Sequence, residues 1–139
     1  AGILAGWQHA QVVKVSRDEL AFLSGEEGLD AGAKKLWHSD LSLLVVTLGA
    51  EGCAYFTPSE SGRASSFDIA PIDTTGAGDG FVAGLLSGLL ERGLSWERDA
   101  VEYAVRLGNA VGALTTTKLG AIPALPDRQA VEMLLASRL

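Results

Sequence analysis

The chain has 139 residues, 47% of them apolar, with a formal net charge of −6 and one cysteine. That length holds one modest domain with its core. The negative charge, with no Lys or Arg cluster, argues against nucleic acid and anionic membranes as partners; no apolar run is long enough to span a bilayer, and one thiol forms no internal disulfide.

Ala1-Gly2-Ile3 lacks an initiating Met and carries no secretion leader, so an internal segment of a longer chain is expected. A cytoplasmic setting is expected too, with any upstream targeting sequence out of view. Val12 to Val15 reads as a short strand. Ser16 then caps a helix, with Glu19 three residues on in a capping-box arrangement, and Gly25 ends it. Asp30 is expected to cap a second helix reaching Trp37. Leu43 to Leu48 is valine-rich and suits a strand buried on both faces. A turn at Gly49 to Gly52 leads into a strand from Cys53 to Phe56, where the thiol should be a buried structural one. Pro58 to Gly62 reads as a polar loop and Ser66 to Ile72 as extended chain.

A long apolar helix is expected from Phe81, with Leu85 and Leu89 on one face and Gly93 at its end. Another should run from about Trp96 to Thr116, rich in small residues. Lys118 to Pro123 is a loop, and Asp127 caps a terminal helix. Alternating strands and helices favour an α/β sheet with helices on its faces. Trp7, Trp37 and Trp96 are expected to pack rather than stack on a ligand. His9 and His38 are far apart and lack cysteine partners, which argues against zinc.

The stretch Asp73-Thr74-Thr75-Gly76-Ala77-Gly78-Asp79 is the most specific signal. Its glycines let the backbone bend and a ligand approach closely. The helix start that follows offers unpaired N–H groups and partial positive charge, a seat for phosphate. Asp79 fits two readings from local pattern alone. One is a helix-cap carboxylate; the other is a proton acceptor for a hydroxyl that attacks the phosphate. No GxxxxGK[ST] loop or GxSxG elbow is present, and Phe81 stands where the third glycine of GxGxxG would fall.

Asp73 to Gly84, DTTGAGDGFVAG, resembles the C-terminal signature of the ribokinase family of carbohydrate kinases, also called PfkB. Val12 to Gly25, VVKVSRDELAFLSG, resembles that family's segment carrying an Asn-x-x-Glu pair. Val45 to Gly52, VVTLGAEG, resembles its strand and turn beside the nucleotide phosphates. Asn109 to Pro126 resembles the region around adenine and a monovalent cation. The fructokinase branch is the most similar.

The resemblance implies the C-terminal part of a ribokinase-like, three-layer, Rossmann-like α/β fold. Residues 1–139 would be its nucleotide-binding and catalytic portion, phosphorylating a sugar hydroxyl with ATP and Mg²⁺. Asp79 would be the base, and Gly76, Ala77 and Gly78 with the Asp79 N–H would form the anion hole. Glu19 would act on Mg²⁺ through water. Thr47, Gly49 and Gly52 would line the phosphate path, and Asn109 would lie by adenine. Asp73 and Thr75, with carbonyls of Thr115, Gly120 and Ala124, would hold a potassium-like ion.

Each role has a structural rival. Glu19 serves equally as the capping partner of Ser16, Thr47 as a strand residue, Asn109 as a solvated helix residue and Asp73 as a turn cap. Ser16 also stands where many members of the family have Asn, which weakens direct nucleotide contact there; fructokinase-like members accept Ser. The family's N-terminal half, with most sugar contacts and a lid, has no counterpart in these residues. Fructose is the expected acceptor. Ribose, adenosine or 2-keto-3-deoxygluconate, and a non-catalytic nucleotide-binding scaffold, are the alternatives. Dimer contacts in such kinases usually lie in the missing lid, so these residues do not give the oligomeric state; a homodimer is one alternative for the complete protein.

Overall fold

The computed structural model describes residues 2–137, which fall into two compact units. The first comprises residues up to Gly49 together with Cys53–Arg63. The second comprises Ala50–Gly52 and the chain from Ala64 onward.

The first unit is built on a mixed sheet. β1 (Val12–Ser16) pairs in parallel with β2 (Leu43–Thr47), and β2 pairs antiparallel with β3 (Cys53–Phe56). β4 (Ser61–Ala64) follows β3 in the sheet order. Leu43 to Val46 are fully buried, as a continuous apolar run requires when both faces are covered. Leu44 and Val46 share one face and pack with Val15, Leu20, Ala33, Leu41 and Ala54. Leu43 and Val45 alternate to the other face.

The parallel pair needs a crossover, and α2 (Arg17–Ser24) with α3 (Leu29–Leu36) supplies it. Ser16 and Glu19 form the expected capping box, and Gly25 closes α2 at φ 71°. Asp30 is not the cap of α3. Gly28 holds that place without a side-chain bond, and Asp30 lies in the first turn, where a carboxylate favours the helix dipole. A further helix, α1 (Gly2–Trp7), precedes β1; the indole N–H of buried Trp7 donates to the Leu36 carbonyl at 3.0 Å.

The segment expected as a polar loop splits into a turn and an edge strand. Thr57 closes the turn, its N–H donating to the Glu60 carbonyl at 2.8 Å, and β4 follows. Its sequence, SGRA, carries no strand propensity; tertiary pairing overrides that.

In the second unit, α4 (Ala77–Glu91) lies against α5 (Arg98–Thr115), and α6 (Arg128–Ala136) packs on α5. Gly80, Gly84 and Gly88 recur every fourth residue on α4. A Cβ at Gly84 would sit 2.7 Å from the Leu107 carbonyl oxygen, and one at Gly88 would sit 2.6 Å from the Ala104 Cα. Gly108 and Gly112 answer from α5, against Phe81 and Ala77. The helices thus meet backbone to backbone. Phe67, Leu107, Ala110 and Val131 form a smaller core. Residues 66–72 form no strand. Tertiary bonds hold them instead: the N–H groups of Ile72 and Asp73 both donate to the Thr116 carbonyl, at 2.7 and 3.1 Å. No helix among the described residues is long and apolar enough to cross a membrane.

Candidate active site

The anion-seat motif sits one turn deeper in its helix than the sequence predicts. Gly76 is the N-cap of α4 and Asp79 is its third residue. Asp79 is exposed and makes no cap; its carboxylate has no hydrogen-bond partner among the described residues. Of the two readings of Asp79, the cap is therefore not the one adopted.

Gly76 has φ 78°, and a Cβ there would lie 2.7 Å from the Ala121 Cβ. Both the left-handed turn and the close approach require glycine. The Ala77 N–H turns back to the Thr74 carbonyl at 3.2 Å. The N–H groups of Gly76, Gly78 and Asp79 have no partner among the described residues. These three donors lie at a helix start, where open N–H groups can receive an anion.

Asp73 braces this turn. One carboxylate oxygen accepts from the Thr75 N–H and the other from the Gly120 N–H, each at 2.9 Å. Those backbone donors, Gly120 first, hold the Asp73 pKa below its ordinary carboxylate value. Gly120 has φ 86°, and the next residue, Ala121, is the one that Gly76 abuts. Thr115 is fully buried at the end of α5, its hydroxyl donating to the Val111 carbonyl at 2.8 Å. Ala124, also buried, closes a tight turn onto Ala121. Of the five candidate cation ligands, Asp73 is thus bonded to Thr75 and to Gly120. Each Asp73 oxygen keeps a second lone pair. Among the described residues, no cluster of three His, Cys, Asp or Glu side chains has metal-holding geometry.

Glu19 and Thr47 belong to the first unit. Glu19 Oε2 accepts from the Ser16 N–H at 2.7 Å, and Ser16 Oγ accepts from the Glu19 N–H at 3.2 Å. Glu19 is exposed, and its capping bond engages one of two carboxylate oxygens. Ser16 and Thr47 are register partners at the C-terminal ends of β1 and β2, the end of a parallel pair where α/β sheets place ligands. Gly49 turns at φ 62° just beyond β2. Gly52 turns at φ 100° against the Ala64 carbonyl, in the second unit. Asn109 is 5% exposed, not solvated. Its side-chain amide donates to the Ala64 and Ser65 carbonyls at 3.2 and 3.3 Å.

Sequence reasoning missed Thr116 and Ala121. Both act through backbone or a methyl group, and neither carries a side-chain signal for that role.

Residues 1–128 match the family model described as pfkB family carbohydrate kinase. Probable fructokinase-4 of Arabidopsis thaliana is 49% identical over 135 residues, spanning 96% of this chain and 41% of the relative. A double mutant of fructokinase from Vibrio cholerae O395, solved with fructose, ADP and potassium ion, superposes with a TM-score of 0.89 at 39% identity. That match spans 96% of this chain and 43% of the other. Fructokinase from Xylella fastidiosa with bound ATP gives a TM-score of 0.88 at 29% identity, over 98% of this chain and 45% of the other. The chain therefore spans less than half the length of these relatives. The motif at Asp73 to Asp79, the α/β architecture and a match over nearly the whole sequence agree: the chain belongs to the pfkB family of carbohydrate kinases.

Proposed function

We propose that the complete protein transfers the terminal phosphoryl group of ATP to a sugar hydroxyl, with fructose as the acceptor. One observation carries this reading: an exposed Asp79, without a hydrogen-bond partner among the described residues, stands in the same helical turn as three N–H donors open among those residues. The names of the relatives support the acceptor and the nucleotide.

Phosphoryl transfer depends on in-line positioning and on stabilising charge at the equatorial oxygens. The Gly76, Gly78 and Asp79 amides would provide that stabilisation. Asp79 would orient the sugar hydroxyl and take its proton as the new O–P bond forms and the bond to the leaving ADP breaks. Residues 1–139 would form the nucleotide-binding and catalytic portion of the enzyme. Thr47, Gly49 and Gly52 would line the phosphate path. Glu19 would hold Mg²⁺ through water; that ion neutralises charge on the nucleotide oxygens. Asp73 and Thr75, with carbonyls of Thr115, Gly120 and Ala124, would hold a potassium-like cation that braces the anion seat.

The test is Asp79→Asn in the complete enzyme. The substitution keeps the shape and removes the base. It should lower kcat by about two to four orders of magnitude while leaving nucleotide affinity nearly unchanged. Turnover close to wild type would overturn the role of Asp79. A panel of fructose, ribose, adenosine and 2-keto-3-deoxygluconate tests the acceptor; equal rates on all would remove fructose.

A further inference from the structure

We propose that Asn109 is a positioning residue, pinning residues 64–65 and through them the backbone at Gly52, rather than a contact to adenine. The inference rests on the kinase reading above, in which Gly52 lines the phosphate path. Asn109 lies within α5, 5% exposed. An amide nitrogen has two hydrogens. Here it meets two acceptors, the carbonyls of Ala64 and Ser65. No donor is left on that nitrogen for a purine ring.

What it holds is specific. Ala64 ends β4, and no regular structure follows until α4. The same short segment lies directly on Gly52: a Cβ there would overlap the Ala64 carbonyl oxygen and stand 2.6 Å from the Ser66 nitrogen. Gly52 keeps φ 100° under this contact. A segment free to shift would no longer fix the Gly52 peptide. Asn109, two residues of backbone and Gly52 thus form one continuous chain of contacts, all within the second unit.

The two roles differ in a measurable way. A contact to adenine is felt only with an adenine nucleotide; a support for the phosphate turn is felt with any nucleoside triphosphate. In the complete protein, Asn109→Ala should raise KM for ATP and for GTP by the same factor, about tenfold, leaving KM for the sugar unchanged. Hydrogen exchange should quicken at residues 50–53 and 64–67. Asn109→Asp keeps the side-chain volume while removing both donors, and should give the same signature where the alanine variant fails to fold. A KM increase confined to ATP would overturn the proposal in favour of a base contact. Unchanged exchange at residues 50–53, or a lowered Tm with both nucleotide KM values intact, would also overturn it. If the wild-type protein phosphorylates no sugar, the kinase reading fails by itself; hydrogen exchange still decides whether Asn109 holds Gly52.

Discussion

Asp73 links the anion seat to the loop beyond α5 with one carboxylate. Both its oxygens accept backbone N–H groups, from Thr75 and Gly120, and these bonds favour the ionised form. Its folded pKa is therefore depressed. The stabilisation is fully present above the ordinary value of 3.8 and is lost as pH falls through the lower folded value. The Gly120 amide proton should accordingly titrate in NMR spectra with a midpoint below 3.8. Asp73→Asn should abolish that titration. It should also loosen the turn, because an amide presents only one acceptor atom to two donors. A Gly120 signal indifferent to pH in the wild type would break the link between Asp73 and this loop.

At the scale of elements, the α4–α5 pair shows how glycine can carry packing. A Cβ at Gly84 meets the Leu107 carbonyl oxygen at 2.7 Å and the Gly108 Cα at 2.9 Å. Both are backbone atoms, so no flexible side chain can give way. Alanine is the better helix former by about 1 kcal/mol, yet overpacking here should win. Gly84→Ala is expected to destabilise the complete protein by about 1–3 kcal/mol in denaturant titration. Gly6→Ala is the control: a Cβ there meets nothing within 4 Å, so the propensity gain should stand alone and stability should rise slightly. Matching signs for the two variants would refute close helix contact as the reason for glycine at position 84. Helices α2 and α4 were legible as helices, because Ser16 and Glu19 announce a cap and Leu85 and Leu89 repeat at helical spacing; α1 carried no such signal. Nor was β4 legible. Ser61 to Ala64 has neither β-branched residues nor alternation, and only its place beside β3 in the sheet makes it a strand. The start of α4 was misplaced by one turn because Gly76, Ala77 and Gly78 look like loop in isolation.

At the scale of the whole molecule, the candidate residues divide between two units, Glu19 and Thr47 in one and the anion seat in the other. The motif at Asp73 to Asp79 could be read from sequence because its chemistry is local. Asn109 could not: the burial and backbone acceptors that define it arise only from the fold. Leu86 and Leu90, one turn apart on α4, are 46% and 67% exposed, and Phe22 on α2 is 86% exposed. Charged side chains do not break the run between those leucines. Residues spaced by four share a helix face, and paired exposed leucines on such a face seek a cover. Relatives of more than twice this length have further chain with which to supply one. Residues 1–139 expressed alone should therefore bind an apolar dye such as ANS and self-associate in size-exclusion chromatography. Leu86→Lys with Leu90→Glu should reduce both effects without changing the helical signal in circular dichroism. A monomeric 1–139 chain with a sharp, reversible melt and no dye binding would show that these leucines need no partner.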